Sequence, residues 1–142
     1  MPESASTGPL RGRPDPGHAA RAGTARRLGP TLPARAELGY VVAALSGPLD
    51  ATRAPTLREQ LLRLLRPDAS RLVLDLSQVG HIDASGLAVL VGTERRARLL
   101  GGSLSLAAAR PAVGMALRVA GLDRLLDIFP TVQSAVSSPA RV

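Results

Sequence analysis

From residue 40 onward, short apolar runs alternate with stretches of helical periodicity, and this alternation restricts the chain more than any other feature. Tyr40-Val41-Val42-Ala43-Ala44-Leu45 reads as a buried strand ending in the turn residues Ser46-Gly47-Pro48. Leu57, Leu61, Leu64 and Leu65 then recur on one helical face, behind Asp50 or Thr52 as a cap and Pro55 in the first turn, and the helix stops before Pro67. Leu72 to Leu76 forms a second apolar strand. It leads through Ile82 into Asp83-Ala84-Ser85-Gly86 and another periodic stretch carrying Leu87, Leu90, Val91 and Ala97. Gly101-Gly102 stops that helix. A strand at 104–107, a helix at 111–119 ended by Gly121, a short strand at 126–129 and a terminal helix at 131–136 complete the order, with an edge strand expected around 36–38. Strands joined by helices imply an α/β domain with a largely parallel sheet and right-handed crossovers.

The first 36 residues differ in kind. They hold six prolines, five glycines and six arginines with no sustained pattern, so residues 1–36 are expected to be a disordered Pro/Arg-rich tail ahead of a folded domain spanning 37–142. The tail reads as a solvated extension or the product of an incorrectly chosen start codon, or else as a basic arm touching a partner or nucleic acid. Much of the net charge of +7 resides there, which leaves the folded part only mildly basic. With aromatic residues at 1% of the chain, base stacking has almost no rings to use, and direct nucleic-acid binding is not expected. The same scarcity means that the core must be packed from Leu, Val, Ile and Ala.

Composition also removes whole chemistries. There is no cysteine and no lysine, so disulfides, thiolate ligands, cysteine nucleophiles, the phosphate-loop lysine and Schiff-base catalysis are all excluded. Two histidines leave little for a metal: His18 lies in the tail, and His81 reads as a loop side chain. The apolar runs are far shorter than the roughly 20 residues of a spanning helix. No membrane association is expected, and a cytoplasmic location is. Ser85, His81 and Asp83 share one tight loop that cannot align a hydrolase triad, and Gly-x-Ser-x-Gly fails because Asp83 and Leu87 stand at the glycine positions. The chain reads as a non-enzyme with no cofactor.

What remains is Leu72 to Leu90, LVLDLSQVGHIDASGLAVL, in which a buried strand is followed by an acidic, a small, a hydroxyl and a glycine residue at a helix start. At such a start backbone N–H groups are unpaired. A Ser85 hydroxyl can cap the helix there, and a phosphate on it would meet backbone donors and the positive end of the helix dipole. Gly86 lets another backbone approach closely. Asp83 reads either as a competing cap or as an acceptor that orients the Ser85 hydroxyl. Arg95, Arg96 and Arg98 read as a solvated helix face, and Leu122 as a core residue.

Asp75-Leu76, Ile82-Asp83, Ala84-Ser85-Gly86-Leu87 and Val89-Leu90 resemble, in order and spacing, the central segment of the STAS family. The resemblance runs over roughly 38–136 and includes Ser46-Gly47-Pro48-Leu49-Asp50, Gly101-Gly102-Ser103-Leu104 and Val119-Ala120-Gly121-Leu122-Asp123. It implies the STAS fold, a mixed and mostly parallel sheet of four to five strands with about four helices. In function it resembles the anti-anti-sigma factors of the family, the anti-sigma factor antagonists. In these, the hydroxyl residue before the glycine, here Ser85, is phosphorylated by an anti-sigma factor that is a serine kinase of the histidine-kinase-like ATPase type. The unphosphorylated form captures that kinase and releases the sigma factor, and a serine phosphatase restores it. The resemblance places Asp50, Asp83, Ala84, Ser85, Gly86 and Leu87 at the partner-binding face. By position, Asp83 reads as support for the phosphosite, and Asp75 either as a strand-end acceptor of hydrogen bonds from neighbouring loops or as a second support beside Ser85. Asp50 reads equally well as a helix cap. Pro48 stands where the family often has Glu, and Ala84 where it often has a second serine, which leaves Ser85 as the motif's hydroxyl. A second reading is a structural STAS subunit of a lipid-transport or stressosome-like assembly that docks without phosphorylation.

Overall fold

The computed structural model describes residues 32–138; the greater part of the expected tail, up to residue 31, lies outside the described residues. The element order is β1 (Ala34–Glu37), β2 (Tyr40–Ser46), α1 (Ala54–Leu64), β3 (Arg71–Gln78), α2 (Ala84–Leu99), β4 (Ser103–Ala107), α3 (Pro111–Val119), α4 (Leu122–Leu125), β5 (Asp127–Phe129) and α5 (Val132–Ser137). The strands form one five-stranded sheet in chain order. β1 and β2 are antiparallel, and every other neighbouring pair is parallel. This is the mixed, mostly parallel α/β sheet expected from the alternation.

The central strand β3 shows how the layers are made, because successive side chains of a strand point to opposite faces. Leu72, Leu74 and Leu76 pack in one cluster with Leu57 and Leu61 of α1, Leu90 of α2 and Leu117 of α3. Val73, on the opposite face, packs with Tyr40, Val42, Ala107 and the α5 residues Ala135 and Val136. So α1, α2 and α3 cover one face and α5 covers part of the other. The fully buried large side chains are all leucine, as a chain nearly without rings requires.

Local chemistry explains most boundaries. Pro111 stands in the first turn of α3, and Gly121 adopts a left-handed φ of 80° beyond its end. Thr131 and Ser134 form a reciprocal capping box on α5. At the amino end of the parallel strands, a Cβ on Gly102 would stand 2.0 Å from the Ser70 carbonyl oxygen, so the link into β4 is closed by backbone contact. Glu94, 1% exposed on α2, accepts the Leu104 N–H at 3.0 Å and pairs with Arg98 through its other oxygen. That carboxylate ties the last turns of α2 to β4.

Three expectations need correcting. β1 begins at Ala34, inside the stretch expected to be tail, and its side chains are mostly exposed. An edge strand was expected around 36–38, but backbone pairing at a sheet edge needs no apolar side chains, so the hydrophobic pattern could not fix where it begins. Neither Asp50 nor Thr52 is the N-cap of α1. Arg53 holds that position without a side-chain bond, and Asp50 instead organises the turn before it, accepting the Arg53 N–H with its carboxylate at 3.2 Å and the Ala54 N–H with its carbonyl at 2.9 Å. The single turn α4 was not anticipated, and it shifts the start of the last strand to Asp127, with Leu122 buried as expected.

The β1–β2 turn contains a strained residue. Leu38 takes φ 53° and is 68% exposed, so a branched side chain sits in the left-handed region with no packing in return. Asn is far more at home in such a hairpin turn. Leu38→Asn is expected to raise the unfolding free energy by about 1 kcal/mol, measured by urea denaturation; an unchanged or lower midpoint would contradict the strain.

Candidate functional site

The Asp83-to-Leu87 segment lies at the carboxyl end of the parallel strands, where the loops after β2, β3 and β4 meet. Its geometry is set by a lock between two of those loops. The Leu49 N–H donates to the His81 carbonyl at 2.9 Å, and the Asp83 N–H donates to the Leu49 carbonyl at 3.1 Å, giving an isolated parallel bridge between Leu49 and Ile82. The approach is possible because of Gly86. A Cβ there would stand 2.3 Å from the Leu49 carbonyl oxygen and 2.9 Å from the Ile82 and Leu49 side chains. The backbone that the glycine admits is therefore the chain's own loop after β2, which also carries Asp50.

Asp83 is the cap of α2. One of its carboxylate oxygens, Oδ1, accepts the N–H groups of Ser85 at 2.9 Å and Gly86 at 3.1 Å. This decides between the alternatives left by the sequence: Asp83 holds the helix start, and its carboxylate takes the backbone N–H of Ser85. Ser85 is the second residue of the helix and not its cap, and its hydroxyl has no hydrogen-bond partner among the described residues. Ser85 and Leu87 are half-buried, Ala84 is exposed and Gly86 is buried. A phosphate on Ser85 was expected to meet backbone donors at the helix start, and of these the Ser85 and Gly86 N–H groups are already engaged by the Asp83 carboxylate.

Asp50 shares the surface with this motif, half-buried one residue beyond Leu49. Asp75 does not reach it. Its carboxylate accepts the Ser77 N–H at 2.9 Å, and by strand alternation it lies on the Val73 face of the sheet, opposite the face under α2. Any support it gives to Ser85 runs through the loop that follows β3.

Two arginines join the site that sequence reasoning did not single out. Arg53 donates to the carbonyls of Ser46 and Pro48, bracing the turn that presents Leu49 and Asp50. Arg110, exposed in the loop after β4, donates from Nε to the Ser77 carbonyl at 2.9 Å, with its terminal nitrogen 3.8 Å from where a Gly80 Cβ would stand. Arg53 lies five residues past Pro48 in the recognisable turn, a local signal that was available. Arg110 is 33 residues from Ser77, and nothing near it in sequence signals the contact. Among the described residues, no group of three or more His, Cys, Asp or Glu side chains could hold a metal, and no helix is long and apolar enough to cross a membrane.

Residues 31–135 match the family model of the STAS domain. The anti-sigma-B factor antagonist of Bacillus subtilis (strain 168) is 34% identical over 92 residues, covering 65% of this chain and 84% of the relative. The crystal structure of an anti-sigma factor antagonist from Mycobacterium paratuberculosis superposes with a TM-score of 0.67 at 28% identity, covering 75% of this chain and 91% of that one. The Bacillus cell fate determinant SpoIIAA, solved in its phosphorylated form, shares the fold with a TM-score of 0.58 at 17% identity, covering 75% of this chain and 97% of its own.

The lock gives a direct test. Gly86→Ala is expected to lower stability by about 2–3 kcal/mol, as overpacking against a fixed backbone does, and Asp83→Ala by about 1–2 kcal/mol through the lost cap. Urea unfolding measures both; a Gly86→Ala variant as stable as the parent would mean that the two loops are not held together.

Proposed function

Since the chain belongs to the STAS domain family, we propose that it acts as an anti-sigma factor antagonist whose unphosphorylated form captures an anti-sigma serine kinase in the cytoplasm and whose affinity is abolished by phosphorylation of Ser85. The observation that carries this reading is the placement of Ser85. It stands half-exposed on the second residue of α2, its hydroxyl unengaged among the described residues, on one surface with the loop that presents Asp50. The names of the antagonist relatives support the same reading. So does the existence of a relative of this fold in a phosphorylated form.

Docking of the kinase over Asp50, Asp83, Ala84, Ser85, Gly86 and Leu87 would exclude water from the Ser85 hydroxyl and deliver it to the kinase's ATP. The Ser85 oxygen attacks the γ-phosphorus, the bond from that phosphorus to the ADP oxygen breaks, and the hydroxyl proton leaves to a base of the kinase. Capture and modification use one surface, so the product of the reaction weakens the complex that made it. Ser85 phosphate carries about −1.5 to −2 charges at neutral pH. On the same helical turn the Asp83 carboxylate already occupies the Ser85 and Gly86 N–H groups. Like-charge repulsion and desolvation of the dianion then oppose rebinding. A loss of about 3 to 4 kcal/mol corresponds to a few hundredfold in affinity. A serine phosphatase would return the protein to its binding form. The protein is bait and substrate in this cycle, with no catalytic residue of its own.

The test is copurification with candidate anti-sigma kinases with and without ATP, followed by mapping of the modified residue. Wild-type protein is expected to bind, to gain phosphate at Ser85 and to be released, while Ser85→Ala stays bound in ATP and Ser85→Asp binds at least tenfold more weakly. Tight binding by a folded, fully phosphorylated sample would overturn the charge mechanism. Binding with no phosphate transfer would favour a STAS subunit that docks without modification.

A further inference from the structure

Strand β1 ends the sheet, and among the described residues no strand pairs with its outer side. Its hydrogen-bonding pattern shows which groups face outward. The Ala44 N–H donates to the Pro33 carbonyl at 2.9 Å, so Pro33 and Ala44 are a hydrogen-bonded pair of the antiparallel ladder. The register then alternates: Ala34–Ala43 is a non-bonded pair, Arg35–Val42 bonded, Ala36–Val41 non-bonded and Glu37–Tyr40 bonded. The backbone N–H and C=O groups of Ala34 and Ala36 therefore point away from β2, toward the open edge. Ala34, Arg35 and Ala36 are all exposed.

Natural edges are commonly protected by charge, since like charges repel an approaching strand. This edge carries a charge of each sign at positions two apart, Arg35 and Glu37, on one face, where Arg35 Nη2 lies 2.9 Å from Glu37 Oε1. The order of the two charges matters. If a second copy approached antiparallel with the twofold axis at Ala36, Ala36 would face Ala36 and exchange both outward hydrogen bonds. Arg35 of each copy would then stand opposite Glu37 of the other. That cross pair falls at a non-bonded position of the new ladder, where side chains come closest, about 4.5 Å between Cα atoms. The outward donors of Ala34 and Ala36 allow an axis at Ala34, Arg35 or Ala36. An axis at Arg35 sets Arg35 against its own copy and one at Ala34 leaves both charges unpaired, so the charges select Ala36.

We propose that β1 is a self-complementary edge through which two copies of this chain join their sheets, with Ala36 on the axis and Arg35–Glu37 pairs crossing it. The strand is four residues long. Pairing of that length buries far less than the roughly 1,200 Å² of a stable interface, so association is weak and concentration-dependent. The edge takes no part in the Ser85 loop lock: β1 pairs β2 alone, whereas the lock is built by the loops after β2 and β3. The pairing is thus independent of the phosphorylation reading.

Sedimentation equilibrium of the full chain over a concentration series tests it. Wild type is expected to show a reversible monomer–dimer equilibrium. Ala36→Pro removes an N–H that the monomer does not use, so it should keep the unfolding midpoint and raise the dimer dissociation constant at least tenfold. Arg35→Glu and Glu37→Arg, each placing like charges across the axis, should weaken the dimer by a similar factor, and the double variant should restore it. Wild type that stays monomeric up to about 1 mM would overturn the proposal, as would a dimer indifferent to these changes or a double variant no better than the singles. If Ala36→Pro unfolds, the charge exchange decides alone, because a different occupant of the edge would not be rescued by reversing both signs.

Discussion

The contact between the Leu49 backbone and Gly86 is the constraint on which the site depends. Two loops from neighbouring strands ordinarily stand apart by the width of their side chains. Here the absence of a single Cβ lets one backbone lie against the start of a helix, and two hydrogen bonds then fix it in register. Asp50 and Ser85, 35 positions apart in the chain, are brought onto one surface by that contact. Beneath the bridge the buried Leu49 and Ile82 side chains join the main hydrophobic cluster. The surface is made of backbone held by backbone, with Asp83 and Arg53 satisfying the groups left over.

A second closure at the other end of the sheet has the same logic. Gly102 meets the Ser70 carbonyl where β4 begins, and buried Glu94 takes the Leu104 N–H beside it. Helix α2 is therefore anchored at its start by Asp83 and Gly86 and near its end by Glu94. Between them its inner face rests on leucines from β3. In a core with almost no aromatic rings, which would otherwise supply large rigid contact areas, these polar anchors fix the helix along its axis, a direction in which aliphatic packing alone discriminates poorly.

Most of the architecture was legible because it is written in periodicity. The helix at 111–119 was bounded by a proline and a glycine whose backbone preferences leave little freedom, and β3 was marked by its apolar run. What escaped was written in backbone geometry. The edge strand was expected, but the bounds of β1 were missed because an exposed edge strand needs only its hydrogen bonds, and α4 is one turn, too short to carry a period. At the site, the motif 83–87 was visible as a motif, and the need for a close backbone approach at Gly86 was readable from the residue type. Which backbone approached was not. The division of labour between Asp83 and Ser85 was also hidden, since either residue caps a helix well. The contact of Arg110 with Ser77 depends on the adjacency of β3 and β4, which the order of elements implied, and on a side-chain direction that it did not.

The cap assignment bears on the sign of the proposed switch. Helix starts generally welcome phosphate, because free N–H groups and the dipole stabilise it. If Ser85 had been the cap, a phosphate there would gain those donors, fold inward and be partly neutralised by the helix itself. With Asp83 holding the N–H groups of Ser85 and Gly86, that neutralisation is reduced and a carboxylate is added to the local field. In the proposed switch, a phosphate on the second residue of α2 would then face the solvent, and a partner docking over it would have to strip its hydration. Under the proposed switch, the same aspartate that caps the helix before modification would make the added charge harder to accommodate afterwards, so a covalent change of one side chain would act on affinity while the locked loops keep their form.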